Sequence, residues 1–151
     1  MLELVKTINT IDFSQLVGVY SESLNGFQAE QDFYWYLLDF FGKYGGIYAL
    51  WTVDGIYCAA LRLEPYRDGY LISGVETAPG ERRKGYAKCL LSAALCYASQ
   101  NGIGKIYSHI ANTNFISIRL HQACGFQKIL DYAVYVDGSV YHSSSTYCYE
   151  P

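Results

Sequence analysis

The chain has 151 residues, 51% of them apolar, which is enough for one domain with its own core and too few for two ordinary ones. Its formal charge of −3 excludes the net basic surface that a nucleic-acid or anionic-membrane partner would require. No run has the apolar length of a membrane span, and the N-terminal MLELVKTINTIDF lacks the basic-then-apolar order of a secretory signal, so a soluble, cytoplasmic chain is expected.

Residues 12 to 42 carry two helical patterns, with Asp12 and Gln28 near their starts and aromatic residues crowding the second, and Gly42, Gly45 and Gly46 ending it. From Ile47 to Thr77 the pattern turns to β. IYALWTV, IYCAALRLE and YLISGVET are rich in β-branched and aromatic residues and are joined by the hairpin signals Asp54–Gly55 and Asp68–Gly69, which predicts an antiparallel meander. Pro79 breaks the last of these strands.

Tyr86 to Gln100 is amphipathic at the helical period, and Asn101 and Gly102 stop it. KIYSHIA follows as a strand, and Asn112 or Asn114 can cap a second helix, Phe115 to Cys124, closed by Gly125. Two more strands, FQKILDYAVYV and SVYHSSSTYCYE, are joined by Asp137–Gly138. The strand–helix–strand unit from 70 to 110 is long enough for a right-handed crossover, so the sheet is expected to be mixed. The predicted class is α+β, with a central sheet of about six to seven strands and helices on both faces.

TAPGERRKGYAKCLL, Thr77 to Leu91, gathers three cations, Arg82, Arg83 and Lys84, directly before Gly85, Tyr86 and the small Ala87. A helix N-terminus leaves about four backbone N–H groups without partners and carries roughly half a positive charge. An anion would satisfy both, and glycine and alanine there let phosphate oxygens reach the main chain. An ordinary loop between strand and helix is the alternative. The segment lacks the GxxxxGK[ST] spacing of a P-loop and the GxGxxG of a dinucleotide fold, so a single pyrophosphate suits it best.

RRKGYA resembles the R/QxxGxG/A signature of the GNAT superfamily of acyl-CoA N-acyltransferases, and GVETAPGERRKGYAKCLL is similar to that family's whole fourth strand, loop and third helix. NTNFISIRLHQACGFQKI resembles its second cofactor segment, and the match runs over roughly residues 45 to 137. The resemblance implies one acetyltransferase domain over 1–151. Residues 1–45 would form a helical substrate side, 46–137 the cofactor-binding core and 138–151 a C-terminal strand. It implies acetyl-CoA as co-substrate, with Val75, Glu76 and Thr77 along the pantetheine arm, Arg82, Arg83, Lys84, Gly85, Tyr86 and Ala87 around the pyrophosphate, and Asn114 and Ser117 facing the pantetheine or thioester.

Acyl transfer to an amine needs a deprotonated amine, a polarised thioester and a proton for the thiolate. Glu76, at the Pro-terminated end of its strand, is the candidate base if burial raises its pKa; otherwise it is a solvent-facing carboxylate or an ion-pair partner of Arg82 or Lys84. Many relatives carry a tyrosine donor four residues before the GF pair, where this chain has His121. His121 is therefore a candidate donor, with Ser117 one turn earlier on the same face, and a surface residue without a role is the alternative. His109 reads as structural and His142 as part of a polar turn.

The five cysteines, Cys58, Cys89, Cys96, Cys124 and Cys148, have no CxxC spacing, and no histidine has a second metal-type ligand nearby, so free thiols and no metal are expected. The leading function is N-acetyl transfer to a primary amine; a non-catalytic acyl-CoA-binding sensor or scaffold is the alternative. Glu22, Glu30 and Asp32, in the region that roofs the acceptor in this family, tilt the partner toward a small cationic amine rather than a protein. The sequence leaves room for a homodimer.

Overall fold

The computed structural model describes residues 1 to 151. In chain order the elements are β1 (Leu2–Val5), α1 (Phe13–Val19), α2 (Phe27–Gly42), β2 (Ile47–Val53), β3 (Ile56–Tyr66), β4 (Gly69–Thr77), a 3₁₀ turn (Pro79–Glu81), α3 (Tyr86–Gln100), β5 (Lys105–Ala111), α4 (Phe115–Ala123), β6 (Gln127–Leu130), β7 (Ala133–Val134), β8 (Val140–Tyr141) and β9 (Ser144–Tyr149). Seven strands form one sheet in the order β1-β2-β3-β4-β5-β9-β6, and β7 and β8 pair separately. Only β4 and β5 run parallel, connected by the α3 crossover. The fold is the mixed α+β architecture expected from the strand and helix pattern.

Alternation along β2 sorts the core onto two faces. Ala49 points to the α3 side, where Leu90, Leu91 and Leu95 pack on Leu61, Ile72 and Ile106. Tyr48 and Leu50 point the other way, against Leu16, Leu37 and Phe40 of α1 and α2. Leu90 and Leu91 are wholly buried, and a buried side chain of this kind contributes about 1.5–3 kcal/mol. Asp12 caps α1 by accepting from the Gln15 N–H at 3.2 Å, whereas α2 starts at Gly26 without a side-chain cap and Gln28 lies inside the helix.

Three expectations need correction. The first residues contribute β1, whose four residues pair with Tyr48–Trp51 of β2 at one end of the sheet. The second hairpin turns at Arg67–Asp68, not at Asp68–Gly69. Arg67 takes the positive φ of 50°, and Gly69 already belongs to β4. A Cβ on Gly69 would fall 1.7 Å from the Lys105 carbonyl oxygen, so this glycine serves the close approach of β5. The final hairpin is bent into two pieces: β6 pairs with β9, beyond the bend β7 pairs with β8, and β9 itself inserts between β5 and β6.

The feature that positions the site is the parting of β4 from β5. Their parallel pairing runs from Gly69–Lys105 to Ile72–Ser108 and stops. Just beyond, Ser73 faces Arg62 while Glu76 faces Ala60, so Gly74 and Val75 share the place opposite Leu61 as a β-bulge. Gly74 has φ +60°, a conformation glycine adopts without steric cost. From Ser73 to Thr77 one edge of β4 therefore faces no strand.

Candidate active site

The parted strands enclose a cavity of about 210 Å³ bounded by Ser73, Gly74 and Val75 of β4, Ser108 of β5, and Asn114, Ser117 and His121 at and on α4. Asn114 sets the start of α4, because its Oδ1 accepts the Ser117 N–H at 3.2 Å. That fixes Ser117 at the first turn and His121 one turn on, on the same face.

His121 is neither exposed nor free. Only 1% of its surface is accessible. Nδ1 lies 2.7 Å from the Ser117 carbonyl oxygen and 3.3 Å from its Oγ, and Nε2 lies 3.1 Å from Ser108 Oγ. A carbonyl can only accept, so Nδ1 carries the hydrogen. Burial lowers the pKa of the ring, more than the bond to the Ser117 carbonyl raises it, so the ring is neutral and Nε2 accepts from the Ser108 hydroxyl. The alternative of a surface histidine without a role fails because α4 turns this side chain onto Phe126, at 4.9 Å between ring centres.

The loop at the mouth has the local geometry of an anion site. Arg83 and Gly85 both take positive φ, 65° and 79°, and Gly85 starts α3 without a side-chain cap. The first hydrogen bond into the helix comes from Cys89 N–H to the Gly85 carbonyl at 3.1 Å, so the amides of Tyr86, Ala87 and Lys88 open outward. A Cβ on Gly85 would meet nothing within 4 Å. Of the three cations, Arg83 alone makes no ion pair. Lys84 holds Glu81 at 2.8 Å, and Arg82 grips Glu22 with both terminal nitrogens at 2.8 Å.

Arg82 thus turns toward the chain beyond α1, and its Nη2 also lies 3.5 Å from Glu76 Oε1. The Glu76 side chain is 41% exposed, less buried than its proposed role as a base had assumed. It lines a second cavity, of about 270 Å³, on the α1 and α2 side of the sheet, together with Tyr20, Phe33, Arg62, Gly74 and Val75. The two cavities share Gly74 and Val75, so the bulge is their common wall. Val75, Asn114, Ser117 and His121 are gathered in the first, Glu76 belongs to the second, and Arg82 to Ala87 lie at the start of α3.

Sequence reasoning missed Ser108, Gly74 and Arg62. A glycine inside a strand is itself a signal for a bulge; nothing in the residues around Arg62 announces its burial. His109 lies on the other face of β5 from Ser108, with both ring nitrogens buried and unpartnered and its ring edge-on to Tyr135 at 4.6 Å. Burial, helped by Arg67, lowers its pKa.

Comparison with known proteins agrees with this geometry. The acetyltransferase (GNAT) family model matches residues 12–126. Streptothricin acetyltransferase of Streptomyces lavendulae is 31% identical over 78 residues, 51% of this chain and 41% of that protein, so the chain spans less than half the length of this relative. The ribosomal-protein-S18-alanine N-acetyltransferase of Escherichia coli superposes with a TM-score of 0.69 at 16% identity, covering 99% of this chain and 94% of that one. The PaiA N-acetyltransferase of Thermoplasma acidophilum, solved in complex with coenzyme A, gives 0.63 at 14% identity over 100% and 99%. At such identities the structural likeness speaks for the fold, and the family match, covering most of the chain, speaks for descent: the chain belongs to the GNAT acetyltransferase family and has its acyl-CoA N-acyltransferase fold.

Proposed function

We propose that the protein transfers the acetyl group of acetyl-CoA to a primary amine by direct attack in a ternary complex. The observation that carries this reading is the parting of β4 from β5 beside the uncapped start of α3. An extended amide-bearing arm fits the bare edge from Ser73 to Thr77 as an added strand would. A pyrophosphate fits the outward amides of Tyr86, Ala87 and Lys88, with Arg83 free to contribute charge. Arg82 and Lys84 supply charge at the rim while engaged with Glu22 and Glu81.

The acceptor enters from the α1 and α2 side, where Glu76 takes a proton from its ammonium group. The free amine attacks the thioester carbonyl across the Gly74 bulge. The C–N bond forms, the C–S bond breaks, and the proton released by nitrogen ends on the thiolate sulfur. In this reading Ser117, which lines the cleft, relays that proton. Neutral His121 acts behind it as a positioning residue, since its one N–H is directed to the Ser117 carbonyl.

Release of free thiol from acetyl-CoA in the presence of amines tests the reading. Glu76→Gln is expected to bind acetyl-CoA as wild type does and to lose two to four orders of magnitude in turnover at neutral pH, the range of general-base contributions. Tight binding of acetyl-CoA with no transfer to any amine by the wild type would instead identify a sensor or scaffold.

A further inference from the structure

The cavity behind the bulge contains a guanidinium that forms no ion pair. Arg62, on β3, turns its guanidinium into a cage of three tyrosines, with Cζ 5.8 Å from the ring centre of Tyr20, 5.4 Å from Tyr36 and 5.9 Å from Tyr48. Nε donates to Ser73 Oγ at 3.3 Å and Nη1 to Tyr48 Oη at 3.0 Å. Tyr48 Oη donates on to Tyr20 Oη at 3.1 Å, which donates to the Gly74 carbonyl at 2.5 Å. This chain orients the guanidinium but brings it no negative charge. Burial pushes the pKa of both Tyr20 and Tyr48 upward, so neither is a tyrosinate.

No carboxylate pairs with Arg62. Glu64, two residues along the same face of β3, is half-buried and makes no ion pair, and burial raises its pKa more than Arg62 lowers it. Glu76 lines the same cavity and pairs with Arg82 instead. Nη2 makes no hydrogen bond and is not among the buried unpartnered atoms, so it opens to the cavity. The fold keeps a place for this group: a Cβ on Gly74 would stand 2.6 Å from Cζ and from Nη2. A half-buried guanidinium whose Nη2 donors are free matches a carboxylate oxygen.

We propose that Arg62 anchors a carboxylate of the acceptor, so that the amine acetylated is a small amino acid or amino-acid-like zwitterion rather than a simple cationic amine. The inference rests on the acetyl-transfer reading and names its substrate class. Glu22, counted among the acids that tilted the acceptor toward a plain cation, is engaged by Arg82. Arg62 and Glu76 offer opposite charges within one cavity of about 270 Å³, sized for a small molecule. The ammonium group lies toward Glu76 and the bulge, and the carboxylate lies in the tyrosine cage.

The test uses leucine, methionine and phenylalanine, each beside its carboxamide and its decarboxylated amine, with acetyl-CoA and the full chain. Wild type is expected to acetylate at least one amino acid with kcat/KM ten times or more above both partners. Arg62→Gln is expected to bring that amino acid down to the level of its amide while acetyl-CoA binding is kept, and Arg62→Lys to recover part of the preference. Equal or better use of the uncharged partners by wild type would overturn the proposal, and that comparison needs no variant to fold. If acetyl-CoA binds and nothing is acetylated, the acetyl-transfer reading fails. Calorimetry on the coenzyme A complex then decides the carboxylate site by itself: heat with the amino acids and none with the amides supports it, and no heat with either overturns it.

Discussion

On the β5 side of the Gly74 bulge the walls are main chain and small hydroxyls: the bare edge of β4, Ser73, Ser108 and Ser117, with the amides of α3 at the mouth. On the α1 and α2 side they are the rings of Tyr20 and Phe33, the Arg62 guanidinium and the Glu76 carboxylate, with Tyr36 and Tyr48 packed on the guanidinium. The first side offers groups that every residue type carries, held in place by two glycines at positive φ. The second offers side chains drawn from α2, β2 and β3 and from Tyr20 just past α1, with Arg62, Tyr48 and Tyr20 hydrogen-bonded in turn. A main-chain site tolerates changes of side chain and fails when the backbone is filled; a side-chain site fails when any one partner is cut. That contrast separates recognition of a constant donor from recognition of a particular acceptor.

The largest expected break on the donor side comes from Gly85→Glu. Acetyl-CoA at a hundredfold excess over its dissociation constant should stabilise wild type by about 2.7 kcal/mol, and the variant should show no such gain in a thermal melt. Gly85→Ala shares the strain of a positive φ without the bulk and charge, and should keep most of the gain. Equal shifts in Gly85→Glu and wild type would remove the loop from the site.

Gly74→Ala reaches both sides at once. Holding alanine at φ +60° costs about 1–2 kcal/mol, and its Cβ pushes the Arg62 guanidinium out of the tyrosine cage. Urea unfolding should show a loss of that size, and kcat/KM for an amino-acid acceptor should fall more than affinity for acetyl-CoA. A stable variant with unchanged kinetics would mean that the bulge is not the shared wall.

A smaller effect distinguishes His121 by pH. Burial holds its folded pKa below the unfolded value near 6.5, so as pH falls the unfolded chain takes up the proton first. The stability from the neutral buried ring is complete above that unfolded value and is lost as pH falls through it toward the folded one. The slope from one proton cannot exceed about 1.4 kcal/mol per pH unit. Thermal melts from pH 7.5 to 5 should therefore fall less steeply for His121→Gln than for wild type. Some dependence should survive, because His109 is shifted the same way. Identical slopes would show that His121 is not the buried neutral group described.

The smallest effect belongs to Arg82→Ala. Its side chain is 42% exposed and its pairing with Glu22 is solvated, so neither the melting temperature nor acetyl-CoA affinity should move much. A large loss of affinity would shift weight from the amides of α3 to the Arg82 charge.

Much of the donor side was legible because local rules determine it. Asp54–Gly55 forms its turn with φ of 51° and 77°, Asn114 caps α4, and Gly85 opens α3. These depend on neighbours within a few residues. β1 escaped notice because LELV is too short to show a period and is fixed only by pairing with β2. Arg62, between two leucines on an alternating strand, reads as a residue pointing to solvent. Its burial depends on Tyr20, Tyr36 and Tyr48, which come together only in the folded chain. His121 was placed on the correct face with Ser117, but how deeply that face is buried depends on Ser108 and Phe126, from β5 and from the chain beyond α4.

The central claim is that the space between the parted strands and the start of α3 holds acetyl-CoA. Amide hydrogen exchange with and without acetyl-CoA tests it most directly, because the groups proposed to meet the ligand are backbone groups. Slowed exchange concentrated in residues 73–77 and 83–89 is the expected result. Slowed exchange elsewhere with none in these two segments, or no change at a concentration that saturates binding, would contradict the account.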